Sequence, residues 1–240
     1  MIPIKDNIPS DRMPVVTLGL IAINVVAYLL TVVHGGSLLG GPSAAELAKY
    51  GAIPYQLTNA GAHTGLRETI PAWETVFTSM FVHASIIQLA GNMLFLWIFG
   101  NTIEDSLGHL RFIGFYLLSG IVAMGLQVAA EPNSISPTIG AAGAIGGVLG
   151  GYTLLYLRAR VLTFTFIILF FTVIEVPVAW MLGIWFGLQA LFVAAGLTNP
   201  APGSAWIAYF AGLGSFAFGA ATVRLVATSR KPIPPPRPVY

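Results

Sequence analysis

The chain has 240 residues, 56% of them hydrophobic and 8% charged, with a mean hydropathy of +0.81. A soluble domain carries about 25% charged residues, so this composition excludes a wholly water-facing surface and fits a chain that faces lipid. The net charge of +2 supplies no basic face for nucleic acid, and the absence of cysteine removes disulfides, thiolate metal sites and a thiol nucleophile.

Residues 1–14 are polar and Pro-containing and read as a cytoplasmic N-terminus. No small-residue cleavage site follows the first apolar run, so that run is expected to stay in place. Six apolar segments then predict helices over about 15–34, 87–103, 110–130, 140–157, 174–196 and 205–226. Each approaches the ~20 residues needed to cross a bilayer, and the short second and fourth are expected to sit among the others. The longest loop, about 35–82, carries Tyr50, Tyr55, Trp73 and Phe77 and is expected to lie along the membrane surface. Residues 161–173 are also apolar and either lengthen the fifth span or lie in the interface. Glu175 is expected at the interface near Arg158 and Arg160. The tail 227–240 is basic and Pro-rich, and is expected to be extended and mobile. The expected organisation is thus an N-terminus over 1–14, a six-span domain over 15–226 and a tail over 227–240.

Charge sets the expected orientation. With the N-terminus inside, Lys5, Arg12, Arg111, Arg158, Arg160, Arg224, Arg230, Lys231 and Arg237 fall on inner segments, and only Lys49 and Arg67 fall outside. That bias predicts both termini in the cytoplasm, and a seventh span would reverse the tail. The histidines His34, His63, His83 and His109 show no metal-ligand spacing, so neither metal nor cofactor is expected.

The fourth apolar segment runs Gly140-Ala141-Ala142-Gly143-Ala144-Ile145-Gly146-Gly147-Val148-Leu149-Gly150-Gly151-Tyr152. Gly143 with Gly147, Gly146 with Gly150, and Gly147 with Gly151 form GxxxG pairs that let helices approach closely. By itself this describes a tightly packed central helix with no chemistry. Upstream lie Thr78-Ser79-Met80-Phe81-Val82-His83-Ala84-Ser85, then Gln88, then Gly91-Asn92-Met93-Leu94-Phe95-Leu96-Trp97-Ile98-Phe99-Gly100-Asn101. The last segment contains Ala211-Gly212-Leu213-Gly214-Ser215-Phe216 and Gly219.

In this order the segments resemble the motifs of the rhomboid family, a family of intramembrane serine proteases. The stretch around Ala142 is similar to GxSGxxxG, the stretch around His83 to HGSxxHLxGN, and the stretch around Gly212 to AHxGG. Glu104-Asp105, Arg158-Ala159-Arg160, Pro177, Trp185 and Gln189 extend the resemblance, which covers about residues 1–226. It implies an all-α polytopic membrane protein with the six-transmembrane-helix rhomboid fold. It also implies a serine nucleophile on the fourth span, a histidine base on the sixth, and oxyanion donors from the second-span motif.

Position by position, the chemistry is missing. The nucleophile position is Ala142, whose methyl cannot attack a carbonyl, and the base position is Gly212. The second histidine of the second-span motif is Gln88. His83 and Asn92 remain in the oxyanion region, and Gly143, Gly147 and Gly150 remain for packing. Ser215 is one turn from Gly212 and is expected to pack as a small residue with Gly219 rather than form a new dyad with His83. A single Ser→Ala change explains Ala142 alone. A natural pseudoprotease or a redesigned sequence explains all three losses.

The expected function is a catalytically silent rhomboid homologue that binds transmembrane segments of other membrane proteins, with membrane lipid as its other partner. Through the same resemblance, the expected location is the bacterial plasma membrane. The alternative is an active rhomboid endopeptidase that cleaves transmembrane substrates with a replacement dyad. A transporter is disfavoured, because the spans hold almost no ionisable residues and no inverted repeat is visible.

Overall fold

The computed structural model describes residues 2–59, 70–167, 170–198 and 206–235. His63, Arg67 and Arg237, which enter the sequence reading above, lie outside the described residues. Among the described residues, five helical segments are long and apolar enough to cross a membrane: Val15–Val33, Ile86–Leu107, His109–Ala130, Val178–Thr198 and Trp206–Val226. A sixth apolar helix, Ala142–Tyr156, has 15 residues and is buried over most of its length. The expected segments match these to within a few residues.

In chain order the elements are β1 (Ile2–Asp6), α1 (Val15–Val33), α2 (Ala44–Tyr50), α3 (Pro54–Thr58) and α4 (Ala72–Thr78). They continue with α5 (Ile86–Phe95), a π-helical turn Leu96–Gly100, α6 (Asn101–Leu107), α7 (His109–Ala130), α8 (Ala142–Tyr156), β2 (Arg160–Ile167), β3 (Phe170–Pro177), α9 (Val178–Thr198) and α10 (Trp206–Val226). Helices α5 and α6 run on through the π turn as one segment. The described part of the long loop holds α2, α3 and α4, and Trp73 on α4 is exposed.

Helix α8 is the axis of the bundle. Its glycines remove side-chain bulk on two sides. A Cβ at Gly150 would land on the Phe216 carbonyl oxygen of α10, and one at Gly147 would overlap the Ser119 side chain of α7. Reciprocally, a Cβ at Gly219 of α10 would land on the Gly147 carbonyl. Glycines at such spacing let helix backbones touch. Helix α9 is the most peripheral: Trp180, Ile184, Leu188 and Leu191 are exposed, and it leans on α10 through Trp185 against Phe216 and Phe192 against Tyr209.

The structure adds a sheet to the expected helices. Residues 161–173 do not lengthen the fifth span. Residues 161–167 and 170–173 form most of two antiparallel strands in which Phe164 pairs with Val173 and Leu162 with Glu175. β1 joins its outer edge, with Asp6 opposite Val161. β-Branched and aromatic residues throughout 161–174 favour a strand, and Pro177 closes β3 where α9 begins. Residues 2–6 are therefore built into the fold.

One polar network ties both termini to the same face. The Glu104 carboxylate, 1% exposed, accepts from the N–H groups of Val16 and Thr17 at 2.9 and 2.7 Å and from the Thr17 hydroxyl at 2.7 Å. Pro14 gives α1 no side-chain cap, so Glu104 serves as one from across the bundle. The His109 Nδ1–H donates to Glu104 at 2.6 Å. Asp6 accepts from Thr102 and Tyr152 at 2.6 and 2.8 Å, and its burial pushes the carboxyl above the usual range. Residues 228–231 of the tail are held to the bundle: Thr228 and Ser229 donate to the Ser106 carbonyl, and the Lys231 N–H donates to the Tyr156 hydroxyl.

Candidate functional site

The N-terminus of α8 opens at Ala142. Gly140 holds φ +109° and donates its N–H to the Ser79 carbonyl at 2.8 Å, which turns the chain into the helix. The first intrahelical bond runs from Ile145 N–H to the Ala141 carbonyl. The N–H groups of Ala142, Gly143 and Ala144 therefore have no carbonyl one turn before them in the helix.

The second-span residues gather beside this point. The Asn92 amide donates to His83 Nε2 at 2.9 Å, which places the ring proton on Nδ1. His83 is fully buried, and its Nδ1 has no protein partner among the described residues. Burial lowers its pKa to about 4, so the ring is neutral near pH 7. The Gln88 Oε1 accepts from the Ala84 N–H at 2.7 Å. Its Nε2 lies 2.9 Å from where a Cβ on Gly140 would stand, so it rests against that backbone. His83, Gln88 and Asn92 are thus brought together next to Gly140 and Ala142.

Gly212 lies on α10, facing α8. A Cβ on Gly146 would stand 2.9 Å from the Gly212 carbonyl, and a Cβ on Gly212 itself would meet nothing within 4 Å. Ser215 is 0% exposed and fully engaged. Its hydroxyl lies 2.6 Å from the Gly143 carbonyl and 3.1 Å from the Ser119 carbonyl, one proton shared between two acceptors. The hydroxyl joins α10 to α8 and α7.

Two spaces flank Ala142. One is an open groove of about 280 Å³ between α5 and α9, where Gln88, Asn92, Ala142, Trp185 and Gln189 meet. The other is a small cavity of about 60 Å³ on the α7 and α10 side, reached by Ser79, Gln127, Thr138, Ala142 and Ala208. Both exceed the size of one water, and both carry polar side chains.

The Rhomboid domain family profile matches residues 71–229, about two thirds of the chain. The chain belongs to the rhomboid family. It is 28% identical over 151 residues to "Rhomboid protein 1, mitochondrial" of Saccharomyces cerevisiae, covering 61% of this chain and 34% of the yeast protein. It is 31% identical over 147 residues to "Rhomboid protease GluP" of Bacillus subtilis, covering 61% and 26%. With "RHOMBOID-like protein 6, mitochondrial" of Arabidopsis thaliana it shares 34% identity over 110 residues, covering 46% and 32%. The matched region spans about a quarter to a third of the length of these relatives.

Within this rhomboid, the Gly212 carbonyl of α10 lies against Gly146 of α8, one turn after Ala142, and neither an alanine methyl nor a glycine can carry a proton or attack a carbonyl. Reading the sequence alone missed Ser119, the acceptor that turns Ser215 into a three-helix tie. It also missed the Asp6 and Glu104 network. Two adjacent carboxylates at the end of an apolar segment, Glu104 and Asp105, were the available signal for that network.

Proposed function

We propose that this rhomboid is catalytically silent and binds transmembrane segments of client membrane proteins. The observation that carries the reading is the groove of about 280 Å³ between α5 and α9, which reaches Ala142 where the family resemblance implies a serine. A space open to the side of the bundle is retained while nucleophile and base are absent. Gln88, Asn92 and Gln189 give the groove hydrogen-bonding groups against a client backbone, and Trp185 and Ile145 give it apolar wall. The backbone N–H groups at the α8 N-terminus supply further donors.

The alternative, an active endopeptidase with a Ser215–His83 dyad, has less support. The Ser215 hydroxyl is committed to two carbonyls and His83 Nε2 to Asn92. We further propose that the face carrying both termini is cytoplasmic and that the host membrane is a bacterial plasma membrane. The charge bias and the wording of the motifs support this. Reporter fusions at each loop test the orientation, and an exterior signal from the tail would reverse it.

Client binding is tested by photo-crosslinking from Gln88 and Gln189 in native membranes. Adducts with transmembrane segments of other proteins are expected. Recovery of lipid adducts alone would remove the client reading.

A further inference from the structure

A second cleft, of about 430 Å³, opens on the terminus face where the chain enters α1. It is lined by Lys5, Ser10, Arg12, Met13, Trp97 and Asn101, among others. We propose that this cleft binds the headgroup of an anionic phospholipid from the adjoining leaflet.

Its charge is the first argument. Lys5 and Arg12 are exposed and make no ion pair within 4 Å among the described residues. The acidic residue in the lining, Asp11, is already paired with Lys231 from the tail. The cleft therefore presents two uncommitted cations beside a neutralised carboxylate. The Asn101 side chain, whose Oδ1 accepts from the Ser10 hydroxyl at 3.3 Å, turns its amide N–H donors to the cleft as a further group of the kind that holds phosphate oxygens.

Depth is the second argument. Met13 and Pro14 immediately precede the first residue of α1, and Trp97 and Ile98 belong to the π turn within the Ile86–Leu107 segment. The cleft thus opens at the start of α1, where that helix enters the membrane at the level of a headgroup, and Trp97, midway along Ile86–Leu107, forms its deeper wall. Trp97 is 41% exposed and Met13 74%, an apolar wall continuous with the lipid-facing residues Val15 and Leu18 of α1. A phosphate dissolved in water would use the cations and leave that wall empty. A phospholipid uses both, with its acyl chains running along α1. Two cations above an exposed apolar wall together favour an anionic lipid over a zwitterionic one.

The test uses the full chain, purified and delipidated in detergent. Native mass spectrometry follows its binding of phosphatidylglycerol, phosphatidylcholine and inorganic phosphate. Retention of phosphatidylglycerol over phosphatidylcholine is expected. The Lys5→Gln/Arg12→Gln pair should weaken phosphatidylglycerol binding by about fivefold for each cation removed. An Arg158→Gln/Arg230→Gln pair, which removes exposed cations outside the cleft, should leave it unchanged. Trp97→Gln provides a second variant with the cations intact, and it too should weaken lipid binding. The proposal is overturned if the two lipids bind equally. It is also overturned if the control pair weakens binding as much as the cleft pair, or if inorganic phosphate displaces the lipid at matching concentration, which would mark a site for soluble anions.

Discussion

The Ser215 hydroxyl lies 2.6 Å from the carbonyl of Gly143, the residue immediately after the position where the family motif carries its nucleophile. The one serine of α10 thereby bridges to α8 and α7. Replacing it tests that role. Ser215→Ala should lower stability by about 1–2 kcal/mol, read as a fall in the thermal midpoint in detergent. A midpoint equal to the wild type would remove that role.

Glycine positions on α8 and α10 divide sharply by what surrounds them. Gly150→Ala and Gly219→Ala each drive a methyl into a facing backbone carbonyl, at Phe216 and Gly147 respectively. Helix axes must separate to accept it, so a loss of about 3 kcal/mol or more is expected, seen as little folded protein after extraction. Gly91→Ala and Gly114→Ala, where a Cβ meets nothing within 4 Å, should extract normally.

His83 makes stability depend on acidity. Its pKa falls from 6.5 to about 4 on folding, so the unfolded chain binds the extra proton between those values. The stabilisation is fully present above pH 6.5 and is lost as the pH falls toward 4, by up to about 3 kcal/mol. Thermal midpoints measured across that window should drop on acidification. His83→Gln should flatten the profile through the same range. A wild-type profile already flat there would contradict the buried, neutral ring.

Glu104 caps a helix that is distant in sequence. Glu104→Gln keeps the shape and one acceptor oxygen but loses the charge that faces two N–H groups, the Thr17 hydroxyl and His109. Destabilisation of about 1–3 kcal/mol is expected, together with faster amide exchange at Val16 and Thr17. Unchanged exchange at those two amides would show that the cap is carried elsewhere.

The helices were legible because lipid imposes a simple code: each apolar run of sufficient length became a helix, from Val15–Val33 to Trp206–Val226. The glycine spacing around Gly147 likewise announced close packing. The sheet was hidden, because 161–173 is as apolar as a span and only its β-branched and aromatic content distinguishes it. The site was half legible. Positions 142 and 212 could be named from motif order, and His83, Gln88 and Asn92 do gather beside Ala142. The two acceptors of Ser215 depend on how three helices cross, and no single segment encodes that. The hydrogen bonds that hold residues 228–231 were hidden for a similar reason: their partners, Ser106 and Tyr156, lie more than 70 residues upstream.

The silence of the site is tested most directly by serine-directed fluorophosphonate labelling of the protein in native membranes, beside the Ala142→Ser/Gly212→His variant. The open space at Gly212 gives the new histidine room to enter. The account predicts no adduct on the wild-type chain and an adduct at residue 142 of the variant. Wild-type labelling at Ser215, abolished by Ser215→Ala, would contradict it.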